Sequence, residues 1–459
     1  MNKEKIAFIP RQYLAVIAVL LAIMMSVLDG TIMNIALPTL AHDFDVTPST
    51  AIWIVNAYQL VITMTLLSFA SLGDIYGYRR IFLIGISIFV GASLACTLST
   101  SFWMLTAARV IQGFGAACVM SVNTALIRLI YPPQILGRGM GVNAMVVAVS
   151  AAAGPSIAGS ILALGSWHWL FVINIPLGLA ALVIGHRLLP HNPPAEKQHK
   201  FDKISAIANA LTFGLLIYSL EGFAHSENRD FIGLQIALLA IIGTFFIRRQ
   251  LKQEAPILPV DLMRIPIFAL SIGTSITSFT AQMLAMVSLP FFMQNVLHYN
   301  AVEIGLLLTP WPLTTILTAP IAGRLVERVH PGLLGGMGMA VFAAGLFSLY
   351  ILPEHPESWN IIWRMALCSM GFGLFQTPNN VTIVSSAPTR RSGGASGMLG
   401  TARLLGQTLG TTLVALLFRM FPEGDRAQAC LFLAILFAIG AGVVSSIRMT
   451  QASPAGKKY

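Results

Sequence analysis

The chain has 459 residues, of which 56% are hydrophobic and 10% charged, with a mean hydropathy of +0.77. A soluble domain needs about a quarter of its residues charged, so this composition excludes one. Lys and Arg outnumber Asp and Glu by 28 to 18, an excess that suggests nucleic acid in a soluble protein but is first tested here against membrane topology.

Apolar runs fall at about 13–37, 51–72, 81–98, 102–130, 139–163, 169–189, 204–222, 231–247, 267–296, 303–326, 333–352, 361–385, 395–418 and 428–447. Each is long enough to cross a hydrocarbon layer of about 30 Å. They are continuous and rich in Leu, Ala, Ile and Gly, which predicts helices rather than the alternating strands of a barrel. Lys3, Lys5 and Arg11 precede the first run as in a signal peptide, but no small-residue cleavage site follows, and the run is expected to be retained. With the N-terminus inside, 22 Lys and Arg lie in inward segments, among them Arg79, Arg80, Arg128, Arg138, Arg390 and Arg391, against Arg229, Arg419 and Arg426 outside. That asymmetry predicts both termini in the cytoplasm and accounts for the basic balance without nucleic acid. Cys96, Cys118, Cys368 and Cys430 sit inside apolar runs with no paired spacing, so neither disulfides nor a metal site is expected.

Ala70-Ser-Leu-Gly-Asp74-Ile-Tyr-Gly77-Tyr-Arg79-Arg80 resembles Gly323-Arg-Leu-Val-Glu327-Arg328-Val-His330-Pro-Gly332. The first string follows the second span and the second follows the tenth. The chain therefore reads as an all-α polytopic membrane protein of fourteen transmembrane helices, with two six-helix bundles related as parallel repeats and two inserted central helices. The expected divisions are 1–190 for the first bundle, 191–264 for a linker and the inserted pair, and 265–459 for the second bundle. The Pro- and Lys-rich stretch 190–203 is the expected hinge.

Asp29 is the one acid placed deep in a span, about 12 Å from the helix end near Leu37. A carboxylate at that depth lines an aqueous path or is satisfied by neighbouring helices, and it can exchange a proton for a cationic ligand. Arg109 lies at matching depth, roughly 10 Å inside its span, and either pairs with Asp29 or braces helix packing. Met25, Ser26, Met33, Trp53, Asn56, Tyr58, Gln59, Gln282, Trp311, Asn379, Asn380 and Arg403 offer a soft, sparsely polar lining for a substrate cavity. Arg364 lies near an outer interface, where snorkelling is expected. Asp74, with Gly77, Arg79 and Arg80, can cap a helix and lock the bundles, and Glu327 with Arg328 repeats the pattern. Gly154-Pro155 permits a kink and a close contact between bundles in the fifth span.

Leu28-Asp29-Gly30-Thr31-Ile32-Met33-Asn34-Ile35-Ala36-Leu37-Pro38, Arg109-Val110-Ile111-Gln112-Gly113-Phe114-Gly115, Gly154-Pro155-Ser156-Ile157-Ala158-Gly159 and Trp167-His168-Trp169 through Asn174-Ile175-Pro176 resemble motifs of the major facilitator superfamily, specifically its fourteen-span drug:proton antiporters. The loop string departs from that pattern at Ala70, where glycine is usual, and at Ile75, where a base is usual. The resemblance covers nearly the whole chain. It implies an inner-membrane antiporter, monomeric and contacting membrane lipids, that exports hydrophobic or cationic compounds against protons, with Arg109 and Gln112 serving proton transfer. Proton-coupled movement of an endogenous metabolite is the alternative. No Gly-x-x-x-x-Gly-Lys-Ser/Thr string is present, no cofactor is expected, and no nucleophile-base set marks an enzyme.

Overall fold

The computed structural model describes residues 11–191, 201–224, 229–299, 301–353, 356–422 and 424–448. Most of the expected hinge, at 192–200, and the terminal Lys3, Lys5, Lys457 and Lys458 lie outside the described residues. Fourteen long helices occupy the rest: α1 Arg11–Asp43, α2 Trp53–Tyr76, α3 Tyr78–Thr97, α4 Phe102–Ile130, α5 Leu136–Leu164, α6 Asn174–Leu188, α7 Lys203–Ala224, α8 Arg229–Gln250, α9 Pro266–Asn295, α10 Pro310–Leu325, α11 Pro331–Tyr350, α12 Ser358–Ser386, α13 Ser392–Met420 and α14 Arg426–Ile447.

Thirteen of these spans are apolar enough to cross a membrane on composition alone. The exception is α12, which carries Arg364, Ser369, Thr377, Asn379 and Thr382, all buried against neighbouring helices. Its polarity faces protein, where Ser369 bonds Thr315 and the Trp311 carbonyl and Asn379 bonds Ser275. The tenth span, expected as one run, is a single apolar span over Glu303–Leu325 whose helix is interrupted at Thr309. Ala301–Leu308 is a separate helix, and α10 starts afresh at Pro310, whose ring nitrogen cannot continue the hydrogen-bond ladder. Gly77 separates α2 from α3 with a φ of 100°, a conformation that a side chain strongly disfavours.

In the first half α1 packs on α5 and α6, α4 on α2 and α3, and α3 on α6; in the second α9 packs on α13 and α14, α12 on α10 and α11, and α11 on α14. The same pairings thus recur in both halves, each making a six-helix bundle. Between the bundles, α2 lies against α13 and α5 against α10, which is again the repeat of one contact. One apolar core joins the halves at the Asp74 end, where Ala15, Phe82, Leu126 and Leu136 share a cluster with Phe268, Ile383 and Ala395. Towards the opposite end the cores are separate: Met33, Ile54 and Phe171 in the first bundle, Leu289, Trp311 and Ile361 in the second. The bundles are sealed at the Asp74 end.

The inserted pair α7–α8 packs through α7 on both α2 and α13. Asp202 caps α7, accepting from the backbone of Ile204 (3.0 Å) and from Arg249 Nε (2.9 Å) on α8, with Ser205 and Gln253 completing the set. Burial works against its charge, but the bonds from Arg249, Ser205 and Gln253 together outweigh it and hold the carboxyl below the usual carboxylate range. A depressed folded pKa stabilises above the unfolded value, about 3.9, and that stability is lost as pH falls through the folded value. Asp202→Asn is therefore expected to lower the melting temperature at pH 7, with the gap to wild type closing as the pH is taken towards 3. A gap independent of pH would assign the effect to packing instead.

Candidate functional site

Asp29, on α1, is 1% exposed and Arg109, on α4, fully buried. Arg109 Nη1 donates to Asp29 Oδ2, and Gln112 Nε2 (3.0 Å) and Asn174 Nδ2 (2.9 Å) both donate to Asp29 Oδ1. Arg109 also donates to Gln112 Oε1 (2.6 Å) and, through Nε, to the Ile54 carbonyl (3.2 Å), and its guanidinium lies 4.2 Å over the Tyr58 ring. Gln112 reaches on to Ser93 Oγ (3.0 Å) of α3. Five helices of one bundle therefore converge on a single carboxylate. Every partner of Asp29 donates, two to Oδ1 and one to Oδ2. Arg109 Nη2 has no partner. The sequence puts Asp29 and Arg109 at one depth, the family resemblance adds Gln112, and the structure brings the three into contact. It adds Asn174, which stands in the Trp167–Pro176 string of the family resemblance without a role given to it.

The expected cavity residues divide. Met25 and Met33 stand four residues either side of Asp29, so they share its helix face; Met33 is packed inside the first bundle, whereas Met25 lies in an apolar cluster that Leu404 of α13 reaches from the second. Ser26 is buried with its hydroxyl on the Ala22 carbonyl, and Tyr58 lies beneath Arg109. Trp311 is enclosed by Phe342 and Phe372, and Asn379 is locked between Ser275 Oγ (2.8 Å) and Arg448 Nη1 (2.5 Å) within the second bundle. Asn56, Gln282, Asn380 and Arg403 are half-buried, and Trp53 and Gln59 exposed. Arg364, expected to snorkel towards an outer interface, is 9% exposed, its guanidinium 5.0 Å from the centroid of the Trp363 ring and its Nε and Nη1 without hydrogen-bond partners.

At the sealed end Asp74 accepts from the backbone N–H of Gly393 (2.7 Å) and Gly394 (3.0 Å), at the start of α13 in the other bundle, and from Tyr78 Oη (2.8 Å). Its basic partner is Arg391, 3.6 Å away, rather than Arg79 or Arg80. Arg79 turns to His191 and the His186 carbonyl, while Arg80 is exposed. Arg391 in turn holds Asp261 through two bonds of 2.9 Å and the Pro256 carbonyl, in the segment after α8. The repeat places Glu327 against Arg138 at the start of α5, again through two bonds of 2.9 Å, with Arg328 exposed. Arg128 closes the seam by donating to Ser392 Oγ (2.9 Å) and the Ala387 carbonyl (2.9 Å). Both crossings need bare backbone, since a Cβ on Gly141 would stand 2.7 Å from the Ala319 carbonyl oxygen and one on Gly393 2.6 Å from that of Ala70. Gly154 instead packs on Thr31 of its own bundle, and α5 runs on through Pro155, so the inter-bundle contact of α5 falls at Gly137 and Gly141, not at the Gly154-Pro155 step.

Two repeated bundles with a buried charge cluster in one and latches between them define a membrane transporter built for relative motion of its halves. The chain belongs to the Major Facilitator Superfamily, whose model matches residues 19–411. It is 57% identical to the uncharacterized transporter YebQ of Escherichia coli over 96% of this chain and 97% of that one. It is 30% identical to the multidrug resistance protein Stp of Mycobacterium tuberculosis over 87% and 74% of the two chains. Among solved structures, the human organic anion transporter MFSD10 superimposes with a TM-score of 0.69 at 15% identity, covering 95% of this chain and all of that one, a likeness of fold.

Proposed function

We propose that this transporter is a proton-coupled antiporter of the inner membrane that exports amphipathic organic compounds, with Asp29, Arg109 and Gln112 carrying the proton coupling and Asp74, Glu327 and the glycine crossings gating one end. The observation that supports it most is the buried Asp29 carboxylate, bonded by Arg109, Gln112 and Asn174 where five helices meet. Protonating Asp29 removes the countercharge of a buried guanidinium, whose cost then falls on the surrounding helices and drives them to another arrangement. Charge asymmetry sets both termini and the Asp74 end in the cytoplasm, so the sealed state faces outward, and the rigid units are 1–190 and 265–459, joined by 191–264. The drug-resistance name of the Stp relative agrees with export.

Inverted membrane vesicles test this. After respiration acidifies their interior, ethidium or 2-naphthoate is added and the pH gradient is followed with acridine orange. A loss of gradient that requires the protein is expected for at least one of these probes. No protein-dependent loss with either removes proton antiport.

A further inference from the structure

We propose that the passage between the bundles recognises an organic anion, through Arg403. This rests on the transporter reading above and names its substrate class. Arg403 lies eleven residues beyond Ser392, about 16 Å along α13, near the middle of a 29-residue helix. Ser396, two turns earlier on the same face, bonds Thr124 of α4 at 2.5 Å, so that face is turned to the first bundle. On one flank Gly393, Gly397 and Gly400 meet α2; on the other Gly406 and Gly410 meet α9. Arg403 thus sits between the α4-facing and α9-facing sides, at mid-depth.

It is half-buried, its Nε is fully buried without a hydrogen-bond partner, and no carboxylate pairs with it among the described residues. Three acids near the seam are already committed: Asp29 to Arg109, Asp74 to the start of α13, and Glu327, in the loop beyond α10, to Arg138. An arginine keeps its proton even when buried, so an uncompensated cation faces the passage. The edge of a guanidinium, Nε–H with the neighbouring Nη–H, offers two parallel donors that match a carboxylate, sulfonate or phosphate. Around it, Leu404 packs into an apolar cluster with Tyr58, Leu66 and Met120, which suits an aromatic or aliphatic body. Half-buried Gln407, one turn on, adds a neutral donor and acceptor on nearly the same face. A cationic ligand would meet the unpaired arginine.

The test uses the purified full-length protein in detergent, with no gradient, and three ligands of one shape: 2-naphthoate, 2-naphthamide and 2-naphthylmethylammonium, measured by calorimetry. The carboxylate is expected to bind at least about tenfold more tightly than the amide, and the ammonium more weakly than both. Arg403→Gln should reduce the carboxylate to the amide's affinity while changing the amide by less than about twofold, and Arg403→Lys should keep part of the preference. Equal affinities in wild type, a preference for the ammonium, a carboxylate preference that survives Arg403→Gln, or no binding of any of the three would overturn the proposal. The wild-type series stands whether or not a variant folds. Anion binding without loss of the vesicle pH gradient would remove antiport and leave this site intact.

Discussion

Asp29→Asn is expected to abolish transport driven by a pH gradient, by at least about a hundredfold, because the protonatable group is gone. The structure adds a second effect, which separates this variant from a simple mimic of the protonated state. Asparagine leaves Arg109 buried without its countercharge, and breaking one side of such a pair costs roughly 3–5 kcal/mol. The melting temperature should therefore fall with the single variant, and Asp29→Asn/Arg109→Gln should recover much of it, since a neutral amide pair in the same place needs no counterion. Transport should remain absent in the double variant. Proteoliposomes holding folded Asp29→Asn that export at the wild-type rate would return Asp29 to the status of a structural acid.

Asp74→Asn is expected to loosen the sealed end. One acceptor oxygen survives in asparagine, but the charge that faces the first amides of α13 and Arg391 is lost. A helix-end charge of this kind is worth about 0.3–2 kcal/mol, the upper part of the range belonging to partly buried geometry such as this. Maleimide labelling of a cysteine introduced at buried Ser396 should rise by up to roughly tenfold in the Asp74→Asn background. Transport should fall about as far while 2-naphthoate affinity stays within about threefold. Equal collapse of affinity would place Asp74 in the binding site or the fold. The matching change Glu327→Gln should do less, because the side chain of Arg138 is 56% exposed and exposed pairs are worth about 0–1 kcal/mol. The two latches share a position in the repeat but not a dielectric environment.

The helices were legible because each is a local signal, an apolar run ended by charge, Gly or Pro. The break at Thr309 was not, since Pro310 and Pro312 lie within an unbroken apolar stretch and the first turn of a new helix tolerates proline. Asp29 and Arg109 were legible because charge deep in a span is rare enough to demand a partner at equal depth. The partner of Asp74 was not, because Gly393 and Gly394 offer backbone N–H groups about 320 residues away, and a backbone donor leaves no mark in sequence. Met33 lies away from the seam between bundles for a reason of periodicity. Residues flanking a buried acid by four positions go where the acid goes, and Asp29 points into its own bundle.

The inserted hairpin bears on how far the gate can travel. Its α7 rests on α2 of one bundle and α13 of the other, and the segment that leaves α8 is fastened to Arg391 beside the Asp74 latch. Parting α2 from α13 must therefore strip α7 from one of them and expose the apolar patch of Leu67, Phe213 and Ile257. In a bilayer that patch is wetted by acyl chains rather than water, so the penalty is set by how well lipid fills the gap. The transport cycle of this chain thereby acquires a mechanical coupling to its host membrane, through the stiffness and thickness of the lipid that must follow α7 as the halves part.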